Sequence, residues 1–165
     1  RKNVIIMNIL IAFYSRTGTT KKIAELISSS LNCASEEIID MKKRTGFIIG
    51  FFKCGYAATR KKLTTIKEFQ KNPELYDLII LGTPIWNKRM TPAIRTYISA
   101  NKGKFKNVVF FCTLGGKGSS ETFEDMAEIC NEKPLCTLAI TKKEIKKGYH
   151  IDKINSFIQE LKMDK

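Results

Sequence analysis

The chain is short of the residues that usually carry hydrolytic or metal chemistry. It has one histidine, His150, and its five cysteines (Cys33, Cys54, Cys112, Cys130 and Cys136) include no C-x-x-C pair. An odd count without that spacing speaks against both a zinc site and a disulfide framework, so the thiols read as reduced and the chain as cytoplasmic. His150 precedes the last helical stretch and is expected at the surface beside it. No Ser-His-Asp or Cys-His arrangement is assembled, and no catalytic or metal-ligating residue is assigned. Acidic residues are also scarce, 16 against 29 Lys and Arg, for a net charge of +13 and an isoelectric point near 9.6. The excess is spread along the chain, densest from Lys42 to Lys71, with no block of five or six like charges; it serves general solubility or attracts acidic partners. With no helix-turn-helix, zinc-finger or RNP-like motif, no nucleic-acid partner is expected. Long apolar runs are missing too. Val4 to Phe13 is too short to span a bilayer and runs into a turn with no small-residue cleavage site, so membrane insertion is not expected. Residues 1–6, ahead of Met7, read as an N-terminal extension or an expression remnant.

What is present is an ordinary globular balance, 43% hydrophobic and 27% charged over 165 residues, which suits one domain over 1–165. Four apolar runs bounded by turn signals predict buried strands: Val4 to Tyr14, Leu78 to Gly82, Val108 to Thr113 and Leu135 to Ile140. Continuous apolar character, rather than alternation, implies burial on both faces and hence a parallel sheet between helices. A fifth strand, Glu37 to Met41, mixes charge with Ile38 and Ile39 as an edge strand would. Helical spacing of apolar residues predicts helices over Thr19 to Leu31, Thr91 to Ala100, Ser120 to Asn131 (with Ser119 to Thr122 as capping residues) and Ile151 to Met163. Alternating strands and helices with right-handed crossovers give a three-layer α/β/α sandwich, its five-stranded parallel sheet in the order 2-1-3-4-5. The stretch 42–73 is too long for a simple connection, and Gly46 to Lys62 within it reads as a helix interrupted near Gly55.

The most informative letters are Ser15-Arg16-Thr17-Gly18-Thr19-Thr20, between the first strand and the first helix. A phosphate dianion needs converging donors free of competing negative charge. Hydroxyls and backbone N–H groups at a helix N-terminus supply them, and Gly18 permits the tight turn. The segment lacks the G-K-[ST] of a nucleoside-triphosphate loop, so a terminal phosphomonoester suits it better. It resembles the flavodoxin fingerprint [TS]-x-T-G-x-T at Ser15, Thr17, Gly18 and Thr20. Tyr76 to Trp86 is similar to the third strand and flavin-contacting loop of that family, and Thr113 to Gly118 to its glycine-rich loop after the fourth strand. The resemblance covers nearly the whole chain and implies a flavodoxin-like fold that binds flavin mononucleotide (FMN). It places the phosphate on Ser15, Arg16, Thr17, Gly18, Thr19 and Thr20, and the ring against Thr83, Pro84, Ile85, Trp86 and Asn87 on one side and Thr113, Leu114, Gly115, Gly116 and Gly118 on the other. Electron-carrier flavodoxins typically have a tyrosine in the last loop, where this chain has glycines and Lys117, which leaves one ring face more open. Asn87, Lys88 and Arg89 stand where acidic residues or glycine are more familiar in carriers.

Two functions follow from the resemblance. The leading one is an FMN-dependent electron carrier working with redox partner proteins that present acidic surfaces. The alternative is an NAD(P)H-dependent FMN-containing reductase of quinones or other small oxidants, with Lys88, Arg89 and Lys117 beside the donor. A flavodoxin-like module that has lost its flavin is disfavoured by the intact phosphate loop.

Overall fold

The computed structural model describes residues 7–42 and 61–163. Strands β1 (Ile9–Phe13), β2 (Ala34–Glu37), β3 (Leu78–Pro84), β4 (Val108–Leu114) and β5 (Thr137–Thr141) form one parallel sheet in the order β2-β1-β3-β4-β5. Helices α1 (Thr19–Leu31), α2 (Pro92–Ala100), α3 (Ser119–Cys130), α4 (Lys142–Lys147) and α5 (His150–Met163) connect and cover the strands. The expected sandwich and strand order are therefore what the chain adopts. Because side chains alternate along each strand, the sheet feeds two apolar clusters. Leu10, Ala12, Ile79, Leu81 and Phe110 meet Ile94, Tyr97 and Ile98 of α2 and Met126 of α3 on one face. Ile11, Phe13, Ile80, Val109 and Phe111 meet Ile23 and Ile27 of α1 and Ile154, Phe157 and Ile158 of α5 on the other.

Several boundaries differ from expectation. The second strand is Ala34–Glu37 and not Glu37 to Met41. Among the described residues its strand neighbour is β1 alone, so it tolerates Ser35 and Glu36, while Ile38 is buried just beyond it with its N–H donating to Phe13 O at 2.7 Å. The first strand begins at Ile9, and Val4 to Ile6 of its predicted span lie outside the described residues. So does nearly all of the helix expected over 46–62; Lys61, at its end, is a left-handed turn residue with φ 51°. Helix α3 starts on Gly118 at φ 107° with no side-chain cap, so the hydroxyls of Ser119 and Ser120 do not serve as expected. His150 is not on the surface. It opens α5 on that helix's buried side, 6% exposed, because the chain has already turned at Gly148 after α4, a helix the apolar periodicity missed.

Beyond β2 the chain returns antiparallel as residues 65–71. Met41 N–H donates to Thr65 O and Lys67 N–H to Ile39 O, both at 2.8 Å, and the Glu36 carboxylate accepts the N–H groups of Gln70 and Lys71. On the same side of the sheet, Arg95 of α2 forms a buried ion pair with Asp125 of α3, joined by Lys61 Nζ at 3.3 Å. Losing one partner of such a pair costs about 3–5 kcal/mol by leaving an uncompensated buried charge.

Two tests follow from this frame. A Cβ built on Gly82 would lie 2.1 Å from the Phe111 ring, itself fully buried. Gly82→Ala is expected to cost about 2 kcal/mol in urea unfolding, and combining it with Phe111→Leu to cost less than the sum of the two single changes. At the start of α4, Glu144 completes a capping box with Thr141 and pairs with Lys153 at 2.9 Å. The hydrogen bond from Lys153, and then that from the Thr141 N–H, hold the carboxyl at about 2, below its ordinary 4.5. A depressed acid stabilises the fold above its unfolded-state pKa and loses that contribution as pH falls through the folded value. Acid unfolding between about pH 4.5 and pH 2 should therefore flatten in Glu144→Gln.

Candidate functional site

In a 2-1-3-4-5 sheet the winding reverses between β1 and β3, and the crevice lies at the carboxyl ends of the strands there. Three loops border it, residues 14–20 after β1, 84–91 after β3 and 114–118 after β4. Backbone bonds set them in a common frame: Tyr14 N–H donates to Gly82 O at 3.1 Å and Ile85 N–H to Thr113 O at 2.9 Å.

The first loop enters α1 through Gly18 at φ 87°, a left-handed conformation that favours glycine. Gly18 brings no capping side chain and the first turn of α1 holds no acidic residue, so its N-terminal N–H groups and positive dipole end meet no competing carboxylate there. Ser15 Oγ accepts from Lys21 N–H at 3.2 Å, and the Thr17 and Thr19 hydroxyls lie 3.5 Å apart. Ser15, Arg16 and Thr19 are half-buried, and Thr17 is exposed. Thr20 differs. It is 1% exposed, and its hydroxyl is 2.8 Å from that of Thr113 on β4, so it ties α1 to the sheet beneath the loop.

The second loop is a two-residue hairpin. Trp86 and Arg89 exchange backbone bonds at 3.0 and 3.1 Å around Asn87 and Lys88, whose φ values of 48° and 61° are those of a primed turn. Asparagine suits that geometry and lysine does so at some strain. Thr83, fully buried, accepts from Thr91 N–H at 3.1 Å and donates to Pro84 O, closing the base of the loop. Pro84, Ile85 and Trp86 are half-buried, and the Trp86 ring meets Tyr14 edge to face at 5.6 Å.

In the third loop, Thr113 and Leu114 are buried and Gly115, Gly116 and Lys117 exposed. Gly118 is held against the second loop, since a Cβ there would lie 2.7 Å from Lys88 Cα, and Lys88 Nζ reaches Glu121 Oε1 at 3.6 Å. Gly115 and Gly116 are another matter. Neither has positive φ, and a Cβ on either would meet nothing within 4 Å. Packing and backbone among the described residues thus give no reason for two adjacent glycines, whereas close approach of a flat ligand to the backbone does.

The predicted residues therefore divide. Ser15, Arg16, Thr17, Gly18 and Thr19 border the anion-suited turn. Pro84, Ile85, Trp86, Asn87, Gly115 and Gly116 form the partly open rim. Thr20, Thr83, Thr113, Leu114 and Gly118 turn inward and hold the loops in place. Tyr14 and Thr91 were missed: Tyr14 lies beside Ser15 and Arg16 in a groove of about 210 Å³ that also takes in Ile38, Ile39, Asp40 and Lys42. The signal for Tyr14 was an aromatic residue ending the first strand directly ahead of the hydroxyl-rich turn. Cys112 and Cys130 are poor nucleophiles, because burial pushes both up to about 12. Among the described residues no cluster of three potential metal ligands occurs, and no helix is long and apolar enough to cross a membrane.

A protein-family model described as flavodoxin matches residues 56–153, more than half of the chain. A flavoprotein from Lactobacillus acidophilus NCFM, crystallised in complex with FMN, superposes with a TM-score of 0.71 at 23% identity, covering 86% of this chain and 97% of that one. A protein of Bacteroides eggerthii DSM 20697 gives 0.67 at 23% identity, covering 88% and 97%. The two-electron reduced flavodoxin of Megasphaera elsdenii gives 0.51 at 16%, covering 80% and 85%. At these identities the likeness is one of fold. No curated protein matches the chain.

The glycines give the test. Gly115→Ala and Gly116→Ala should leave the urea midpoint unchanged within about 0.5 kcal/mol, because no atom stands in the way, and weaken binding of a flat ligand at the rim. Gly18→Ala, forced to positive φ, should lower stability by about 1 kcal/mol or more. Paired unfolding and ligand titrations on the three variants check the contrast.

Proposed function

Because this chain belongs to the flavodoxin family, we propose that it holds FMN in the crevice between the three loops and serves as an electron carrier. The observation that carries the reading is the pairing of an uncapped, acid-free helix N-terminus at Gly18 with two glycines at 115 and 116 that packing among the described residues does not require. The first suits a phosphomonoester and the second a planar ring, which are the two ends of FMN. Ser15, Arg16, Thr17 and Thr19, with the N–H groups of the turn, would hold the phosphate; Trp86, Asn87, Gly115 and Gly116 would hold the ring. When bound, FMN supplies the electron-accepting and electron-donating chemistry. The chain's part is to orient the cofactor and to shape its potential through nearby charge. Arg16 would offset the charge of the phosphate, while Lys88, Arg89 and Lys117 at the rim would favour the more negatively charged reduced form. The cytoplasmic setting proposed for it agrees with Cys33, Cys112 and Cys130 being unbridged.

The exposed Gly115-Gly116-Lys117 run, which itself carries no aromatic residue, also suits a second reading, an NAD(P)H-dependent reductase of quinones or other small oxidants. The two part in one experiment. The purified protein is titrated with FMN by visible absorption, then mixed anaerobically with NADH or NADPH in a stopped-flow instrument, with dithionite as the control reductant. Stoichiometric FMN binding with reduction by dithionite alone is the result expected of a carrier. Rapid bleaching by either nicotinamide would replace it with the reductase, and no FMN binding would end both. Arg16→Gln should weaken FMN binding about ten-fold, the loss of one charged hydrogen-bonding partner, and weaken phosphate-free riboflavin far less.

A further inference from the structure

We infer that the buried pair of Arg95 and Asp125 is a positioning device for the flavin ring: it fixes α2 against α3 and so sets the gap between the β3 and β4 loops. The inference rests on the FMN reading above, which puts the ring in that gap. Both partners stand close to the crevice. Arg95 is the fourth residue of α2; its N–H donates to Thr91 O, and the Thr91 N–H in turn donates to Thr83 Oγ1 on β3. Asp125 is the seventh residue of α3, which starts on Gly118. Gly118 lies against Lys88 at the tip of the hairpin, and Lys88 Nζ reaches Glu121 of α3 at 3.6 Å. The hairpin that holds Trp86 and Asn87 is therefore anchored twice, at its base to α2 and at its tip to α3. Any slip between the two helices is passed to it.

Stability does not account for the pair. Apolar side chains of similar size in place of a buried ion pair are often no less stable, because desolvating two charges costs about as much as their attraction gives. This pair is also incompletely satisfied. Arg95 Nη1 and Nη2 both donate to the Asp125 carboxylate, with the two side chains 5% and 1% exposed, yet the buried Arg95 Nε has no hydrogen-bond partner among the described residues. Neither has the buried hydroxyl of Thr122, one turn before Asp125 on α3. Buried polar atoms without partners weaken a fold. What the pair adds is direction. The apolar cluster shared by Ile94, Ile98 and Met126 is held by non-directional burial, which tolerates a slide between helices. A guanidinium fork meets a carboxylate in one plane and one register. Lys61 Nζ, 3.3 Å from the same carboxylate, joins from a half-exposed position as a point charge and lacks that directionality.

The test compares variants of the full chain. Arg95→Met combined with Asp125→Leu removes one charge of each sign and leaves the net charge unchanged. Arg95→Lys keeps the charge and loses the fork, and Lys61→Gln removes a charge and keeps the fork. Urea unfolding, titrations with FMN and with riboflavin, and the one-electron midpoint potentials of the bound flavin are read on each. The double variant is expected to unfold at or above the midpoint of the unaltered chain, to bind FMN and riboflavin about ten-fold more weakly, and to change the separation of the potentials. An equal loss on the two flavins assigns the effect to the ring, because riboflavin has no phosphate. Arg95→Lys should show part of that loss, and Lys61→Gln less than about two-fold. Unchanged flavin binding and potentials in a stable double variant would make the pair merely structural and overturn the inference. So would a loss in Lys61→Gln as large as that of the double variant, since charge and not alignment would then be its cause. If the double variant does not fold, Arg95→Lys decides by the same readings, and its indifference overturns the inference. An unaltered chain that binds neither flavin refutes the FMN reading and the positioning role with it, whereas normal FMN binding by the unaltered chain and all its variants refutes the positioning role alone.

Discussion

The burial of β1, β3 and β4 on both faces is the constraint from which the rest follows. A strand whose side chains are enclosed above and below needs a layer of helices on each side, and parallel neighbours need crossovers long enough to hold those helices. Leu10 and Ile11, or Ile79 and Ile80, are adjacent in the chain, fully buried, and belong to opposite clusters. Once α1 and α5 lie on one face and α2 and α3 on the other, the loops that start the crossovers are brought to one edge. The crevice is thus a by-product of the core. The stability of Gly82 under the Phe111 ring and the alignment of the three loops are parts of one packing problem.

Within that edge there is a division between frame and lining. Threonine hydroxyls do the framing: Thr20 with Thr113 joins α1 to β4, and Thr83 with Thr91 closes the hairpin. Each of these four buried hydroxyls finds a partner inside the protein, as burial demands. The lining is left to Ser15, Thr17 and Thr19, to backbone N–H groups, and to glycines with open space above them. A cofactor held this way rests on rigid strand ends, and its surroundings vary with loop residues that contribute little to stability.

How much of this was legible in the sequence depended on how local its cause was. The central strands were readable because two-sided burial writes itself as an unbroken apolar run. β2 was misplaced because an edge strand has only one neighbour and can be built from Ala34-Ser35-Glu36-Glu37, letters that look like a loop. α4 was overlooked because a six-residue lysine-rich helix has no apolar stripe; its signal was the Thr141 and Glu144 capping pair. That oversight misplaced His150 as well. The hydroxyl-rich turn was legible since its chemistry is contiguous. Which hydroxyls face inward was not, because Thr20 turns toward a residue 93 positions away.

The return of residues 65–71 alongside β2 has a further consequence. A sheet edge normally offers unpaired N–H and C=O groups on which another chain can add a strand. Here the backbone beyond β2 is already engaged at Ile39 and Met41, and the Glu36 carboxylate turns outward to grip the N–H groups of Gln70 and Lys71. A carboxylate and a passing loop stand where a second molecule would have to zip on. The β2 flank of the sheet therefore offers little purchase for strand addition by a second molecule.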